Sequence, residues 1–389
     1  MKRICFVLPT EGSRPVGGIK IVYQYANGLV RRGYDVSVVH TCFMSSSRLP
    51  LMQRIKRSVV EYVQRSITAG WRPDGWFPLD PAIRLHWIPV LQPAFLPKAD
   101  TYVATWWHTA ERLAEWKMNA RRLYLIQHLE TWGGPEERVL ATWKAPLEKI
   151  VIAKWLAEIA AREGESAVYI PNGLDFEQFG VDVPIDQRNP RQVAMLYHDM
   201  EWKGSGDGLH ALTLLKHRYP DLRVELFGVP ERPSKLPHWI VYHRTPPQGG
   251  LRELYNRAAI FLSPSWAEGW PLPPAEAMMS GAAVVATDIG GHREYCADHR
   301  TSLLVSPRDP SALANAVSLL IEQEALRRMI AQAGNDNIRQ FTWARALSSF
   351  EEVLKDFRPV RMPARCDNEI GDEDEKMLRA HIGRSASAR

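Results

Sequence analysis

The chain has 389 residues, 45% hydrophobic and 24% charged, which fits two or three globular domains and leaves no uncharged apolar stretch long enough for a membrane-spanning helix. Its four cysteines (Cys5, Cys42, Cys296, Cys366) stand far apart with no Cys-x-x-Cys, which argues against a zinc knuckle or a disulfide framework and fits a reducing, cytoplasmic setting. The net charge of +5 fits an anionic ligand or an anionic membrane surface, but with no basic stripe or reading motif it does not point to nucleic acid.

The basic start Met1-Lys2-Arg3 runs into an apolar segment, Arg3–Leu8, that stops before Glu11 and reads as a first strand rather than a signal peptide. A loop over residues 9–18 ends in Gly17-Gly18. Ile19, Val22, Tyr23, Ala26, Leu29 and Val30 then recur at helical spacing, and Gly33 is a helix stop. Residues 34–40 are a second strand, so a βαβ unit and a parallel sheet are expected. Residues 51–71 carry a stripe of Met52, Ile55, Val59, Val63 and Ile67, with Arg54, Lys56, Arg57 and Arg65 elsewhere on the helix. Such a helix can lie on anionic lipid or pack on its own sheet. Strands are expected at 101–104, 123–126, 150–152 and 167–170, with a helix over 155–163, before Pro171-Asn172-Gly173 breaks the chain.

Residues 180–191 are polar and proline-bearing, as in a linker. A second alternation follows, with strands at 193–197, 223–227, 240–242, 259–262, 283–286 and 302–305 and helices at 206–218, 251–257, 274–280 and 310–323. Two doubly wound α/β domains in tandem, residues 1–180 and 181–340, are the economical reading. Periodicity fades after about residue 358, where the acidic run over 369–376 suggests a disordered tail. The halves differ: residues 1–180 hold 23 Lys and Arg against 17 Asp and Glu and nine of the fourteen tryptophans, whereas residues 181–389 hold 26 against 27.

Ligands of open α/β sheets bind at the carboxyl ends of the strands, so the loops there are the places to search. After the strand at 193–197 come His198 and then Lys203-Gly204-Ser205-Gly206 before a helix. Glycines and a helix N-terminus suit a diphosphate, although neither the P-loop nor the Gly-x-Gly-x-x-Gly spacing is present. In AEGWPLPPAEAMMSG, Glu268 lies on a loop, and Pro273-Pro274 should start a helix. That would put Glu276 in its first turn, where the dipole favours a carboxylate able to hold a ribose diol. His128 follows a first-half strand at its carboxyl end. Gly17 and Gly18 can bring backbone amides toward an anion.

These residues resemble the retaining glycosyltransferases of family 4, which have the GT-B fold of two Rossmann-like domains facing each other across a cleft. Glu268 and Glu276 resemble that family's Glu-x7-Glu motif, set in Glu268-Gly269-Trp270-Pro271-Leu272-Pro273. Ile-Pro-Asn-Gly-Leu-Asp at 170–175, Lys203-Gly204, Asp-Ile-Gly-Gly-His-Arg-Glu at 288–294 and Phe341-Thr342-Trp343 are similar to its other segments, over about residues 1–357. The resemblance implies that the first domain binds acceptor, that the second binds a nucleoside-diphosphate sugar, and that a last helix over 341–357 packs back on the first domain. Lys203 would neutralise the diphosphate, Glu276 would bind the ribose, and Glu268 would face the donor sugar. Backbone N–H groups around Trp270 and Leu272, in the run with Gly269 and Pro271, would cradle diphosphate and sugar, with Gly204 and His198 beside them. His128 would lie near the transferred sugar, and Gly17 and Gly18 near phosphate or acceptor.

Two positions depart from the family pattern: His198 stands where a second cation is usual, and Pro271 replaces a glycine and so removes one backbone donor. With no Asp-x-Asp outside the acidic run over 369–376, no metal or other cofactor is expected. The implied reaction moves a hexose or deoxyhexose, with retention, to a glycan or lipid-linked acceptor in bacterial cell-surface polysaccharide synthesis, on the cytoplasmic side of the membrane or peripherally attached to it. The alternatives are a sugar-nucleotide epimerase of the same fold and a non-catalytic sugar-nucleotide-binding protein.

Overall fold

A computed structural model describes residues 2–43 and 51–358, apart from the side chains of Phe43 and of residues 51–58. Most of the expected tail, with Cys366 and the acidic run, lies outside the described residues, as do the side chains of Met52, Arg54, Ile55, Lys56 and Arg57. The first half runs β1 (Arg3–Leu8), α1 (Gly17–Arg31), β2 (Asp35–Phe43), α2 (Leu51–Thr68), β3 (Arg84–Val90), β4 (Thr101–Ala104) and α3 (Trp107–Glu115). It continues with β5 (Arg121–Ile126), α4 (Glu136–Trp143), β6 (Glu148–Val151), α5 (Lys154–Arg162) and β7 (Ala167–Tyr169). The second half runs β8 (Gln192–Leu196), α6 (Ser205–Arg218), β9 (Arg223–Gly228), β10 (Ile240–Arg244), α7 (Gln248–Arg257) and β11 (Ile260–Ser263). After these come α8 (Leu272–Met279), β12 (Ala283–Thr287), β13 (Leu303–Val305), α9 (Pro310–Glu322), α10 (Glu324–Ile338) and α11 (Trp343–Lys355).

Among the described residues there are two sheets, both wholly parallel. One has seven strands in the order β3-β2-β1-β4-β5-β6-β7, and the other six in the order β10-β9-β8-β11-β12-β13. In each, the strand order reverses direction beside the first strand, between β1 and β4 and between β8 and β11. The crevice that opens at such a reversal is where doubly wound sheets take ligands. The central strands are buried on both faces, which is why they read as continuous apolar runs rather than alternating ones.

Strand β3 escapes the periodicity argument because Pro89 interrupts it; a proline is tolerated there because β3 is an edge strand. The linker is firmer than its composition suggests. Arg188 within it is buried and donates to the carbonyls of Val183, Ala258 and Ser280, which ties the crossing segment to the second domain. Helix α11 returns to the first half. Phe350 stacks on Phe6 at 6.1 Å and lies 4.9 Å from Tyr25, while Arg121 donates to the terminal carbonyls of Val353 and Leu354 at 2.9 and 2.7 Å. A cation on the last carbonyls also suits the helix dipole.

Helix α2 packs through Tyr62, which stacks on Trp87 of β3. Of its apolar stripe, the described side chains Val59, Val63 and Ile67 do not pack on the sheet: they are 55%, 47% and 80% exposed. No helix among the described residues is long and apolar enough to cross a membrane.

Candidate active site

The loops after β8 and β11 converge at the reversal of the second sheet. The Lys203 ammonium lies 2.8 Å from both carboxylate oxygens of Glu268, although 65 residues separate them in the chain. Ser265 donates its hydroxyl to the same carboxylate at 2.9 Å. Burial alone would push the Glu268 carboxyl up. The Lys203 charge and hydrogen bond, with smaller help from His128 and His292, together outweigh it and hold the group below its usual value.

Local backbone geometry explains the placing of Lys203. Gly204 adopts φ +63° at the start of α6, and a Cβ there would lie 1.9 Å from the Pro264 carbonyl oxygen. Only glycine meets both demands, so the turn that presents Lys203 lies directly against the β11 loop. Helix α6 begins at Ser205, one residue before the expected start. The Ser205 hydroxyl bonds the His198 backbone, and the Met200 amide donates to His198 Nδ1 at 3.0 Å. Burial, and then the Lys203 charge, lower the His198 pKa, so this residue is neutral at pH 7 and supplies no second cation.

Glu276 departs from expectation. Helix α8 begins at Leu272, so Glu276 is its fifth residue and lies beyond the first turn. Its partners are Tyr255, whose hydroxyl donates at 3.0 Å, and Lys20 of α1, whose ammonium lies at 2.9 Å. Lys20 comes from the opposite domain, one turn after Gly17 and Gly18. Gly17 faces the Leu272 side chain, and the Gly18 carbonyl accepts from Gln127 at 3.1 Å. The Trp270 side chain is buried against Tyr295 and Phe341, so only its backbone, the part expected to form the cradle, can face a ligand. The Pro271 carbonyl is occupied by the Tyr295 hydroxyl at 2.6 Å.

His128 meets the second domain directly. A Cβ at Gly269 would lie 1.9 Å from the Gln127 carbonyl oxygen and 3.5 Å from His128 Cδ2. Trp155 of the first domain donates to the Gly269 carbonyl at 3.0 Å. Both His128 ring nitrogens are buried and lack a hydrogen-bond partner in the protein. The loop at 288–294 closes the same seam: Gly290 faces Trp155, Gly291 packs on the Glu268 carbonyl, and Glu294 accepts from the Lys154 amide and the Tyr169 hydroxyl, each at 2.6 Å. Lys20, Tyr255, Ser265 and His292 escaped sequence reasoning, because their roles depend on contacts between distant segments. Among the described residues no group of three or more His, Cys, Asp or Glu is placed to hold a metal ion.

Burial lowers the pKa of His40, His128 and His292 to about 4 each. The unfolded chain takes up these protons near pH 6.5, and the folded chain takes them up only near 4. Stability is therefore full above pH 6.5 and falls between 6.5 and 4, by about 1.4 kcal/mol per pH unit for each histidine. Urea unfolding at pH 7, 6 and 5 should show that decline; a flat profile would exclude it.

Comparisons with known proteins bear on the same elements. Residues 192–323 match the family described as Glycosyl transferases group 1. Phosphatidyl-myo-inositol mannosyltransferase of Mycobacterium tuberculosis is 27% identical over 228 residues, which cover 54% of this chain and 60% of the relative. D-inositol 3-phosphate glycosyltransferase of Corynebacterium diphtheriae is 28% identical over 221 residues, covering 49% of this chain and 51% of the relative. The chain thus spans only about half to three fifths of these two relatives. Sucrose-phosphate synthase of Thermosynechococcus elongatus superposes with a TM-score of 0.67 at 17% identity, over 91% of this chain and 98% of that one. Anabaena HepE, solved with UDP-glucose, gives 0.68 at 15% identity, over 91% and 100%. At such identities the likeness is one of fold, and the fold is GT-B.

Proposed function

We propose that this chain, whose residues 192–323 form a Glycosyl transferases group 1 domain, moves a hexose or deoxyhexose from a nucleoside diphosphate to a glycan or lipid-linked acceptor. The observation that carries this reading is the Lys203–Glu268 pair at the strand-order reversal of the second sheet, facing His128 across the cleft. The donor binds the second domain. Glu276 takes the ribose hydroxyls in place of Lys20, and Lys203 and the α6 N-terminus take the diphosphate. Backbone N–H groups at Gly269, Trp270 and Leu272 complete the cradle. The acceptor binds the first domain beside Gly17 and Gly18.

As the bond from the anomeric carbon to the phosphate oxygen breaks, negative charge grows on the leaving group. Preorganised cations and N–H groups lower the barrier most at that point. The new bond forms from the acceptor oxygen on the same face, and the acceptor proton passes to the departing phosphate oxygen, so configuration is retained. Glu268, ionised and buried, offsets positive charge at the anomeric carbon, and neutral His128 donates a hydrogen bond to the transferred sugar. The leaving charge is met by Lys203, so the reaction needs no metal, and EDTA should leave the rate unchanged.

A thermal-shift screen of UDP-, GDP- and dTDP-sugars tests the reading. One base should raise the melting temperature by several degrees, corresponding to about 2.7 kcal/mol at a hundredfold excess over Kd. Glu276→Ala should abolish the shift. No shift with any sugar nucleotide would overturn the proposal. Interconversion of free sugar nucleotide without acceptor would mark an epimerase, and stabilisation without turnover a binding protein.

We place the protein on the cytoplasmic face of the membrane, held by α2. The exposed Val59, Val63 and Ile67 on a helix whose sequence carries Arg54, Lys56 and Arg57 support that placement. Flotation with anionic liposomes, lost on charge reversal at Arg54, Lys56 and Arg57, is the expected result; unchanged flotation would refute it.

A further inference from the structure

Two tryptophans from opposite domains meet beside His128. Trp132 lies in the turn Thr131–Gly133 that follows β5, and Trp202 in the turn Glu201–Lys203, adjacent to the catalytic lysine. Their rings stack with centroids 5.5 Å apart and planes 29° apart. Trp132 also meets His128 edge-on at 4.4 Å, and it remains 44% exposed.

Both turns are held firmly. Gly133 and Gly134 sit on a floor of Trp106 and Trp107, where an added Cβ would lie 2.8 Å from Trp106 and 2.3 Å from Trp107. The Trp202 carbonyl accepts from the Trp266 amide at 2.7 Å, and the Trp266 indole donates to Asp207 at 2.6 Å. The rings are thus presented by fixed backbone rather than by loose loops.

An exposed indole face is apolar and flat, with a rim able to coexist with water. The exposed Trp132 face and the partly buried Trp202 opposite it, at the mouth of a polar cleft, suit a ligand that is apolar on its faces and polar at its edge. A pyranose ring has that character: its C–H faces are apolar and its hydroxyls point outward. A ring held between two indoles needs about 7–8 Å, twice the usual carbon–carbon contact. The pair must therefore part by about 2 Å, which a turn of the 44%-exposed Trp132 side chain supplies without separating the domains.

We propose that Trp132 and Trp202 form an aromatic clamp for the acceptor's pyranose ring, which makes the acceptor's recognised end a sugar rather than a bare phosphate or lipid headgroup. The ring bearing the attacking hydroxyl sits between the indoles, one ring's width from His128. With no ligand bound, the indoles cover each other and keep the cleft mouth dry. The clamp is a positioning device. It rests on the transferase reading, but its test is independent of turnover.

The experiment is saturation-transfer-difference NMR on the full chain with the methyl α- and β-pyranosides of glucose, mannose, galactose and rhamnose. At least one glycoside should receive saturation on its ring C–H protons. Trp132→Ala and Trp202→Ala should each weaken that binding about tenfold, and Trp132→Phe should restore most of it. The nucleotide-induced thermal shift should be the same in all variants, and once turnover is measurable the acceptor KM should rise while kcat holds. The clamp is overturned if no glycoside receives saturation from the wild type, if Trp132→Ala binds as wild type, or if either alanine variant loses the nucleotide shift as well. If no nucleotide shifts the wild type, the transferase reading fails, while the glycoside signal still decides the clamp.

Discussion

Replacing Lys203 with alanine should lower the rate of the proposed transfer by about a hundred- to a thousandfold and also destabilise the fold. The rate effect follows from removing a fixed positive charge from the site where leaving-group charge develops. The stability effect follows from Glu268, whose side chain is 11% exposed and, among the described residues, would keep only Ser265 as a hydrogen-bond donor. A buried carboxylate stripped of its cation costs about 2–4 kcal/mol.

The pH dependence separates the two effects. In the wild type the Glu268 carboxyl is held below its usual value, so its stabilisation is present above about pH 4.5 and fades on acidification through its folded-state pKa. Without Lys203 burial is opposed only weakly, and the carboxyl moves up. The penalty then applies above the unfolded value and is relieved as the pH falls. Urea unfolding of Lys203→Ala at pH 7 and pH 5 should therefore show a smaller deficit at pH 5. Adding Glu268→Gln removes the unpaired charge and recovers stability without recovering the rate. A double variant as unstable as the single one would refute the pairing argument.

Changing Gly269 to alanine separates activity from stability in the opposite sense. The added Cβ collides with the Gln127 carbonyl oxygen across the cleft, at 1.9 Å. The Gly269 backbone is not in the left-handed region, so alanine strains nothing within its own domain. Relief requires the domains to separate by roughly 1 Å. A displacement of that size between reacting groups costs on the order of a hundredfold in rate. The melting temperature and the nucleotide-induced shift should change little, because the donor contacts lie within the second domain. Gly204→Ala is the contrasting control: its clash with Pro264 is internal and its φ is positive, so it should lose the fold. A Gly269→Ala enzyme with normal turnover would show that closure at this contact is not needed.

Much of the strand pattern was legible because buried parallel strands are continuous apolar runs, and β1, β4 and β9 begin where those runs begin. Strand β3 was not, because Pro89 hides an edge strand from periodicity. The start of α8 was read two residues late: prolines mark a first turn without saying which of its positions they occupy, and Pro273 and Pro274 follow Leu272. That small error put Glu276 in the wrong turn of the helix. The stripe on α2 showed an amphipathic helix, but its direction could not be read, because an apolar face has the same spacing whether it meets a sheet or solvent.

The sequence by itself determined two parallel α/β domains, the loops after strands on which Lys203, Glu268 and His128 would lie, and the helix that would carry Glu276. Those properties follow from local periodicity, from glycine and proline geometry and from short motifs, all of which operate within a few tens of residues. Only the tertiary structure decided what each of these groups faces. The Lys20 ammonium reaches Glu276 across 256 residues, the Gly269 backbone seats on Gln127, and Trp132 stacks on Trp202. Such contacts depend on how one domain's loops meet the other's, and no spacing along the chain encodes a distance across a cleft.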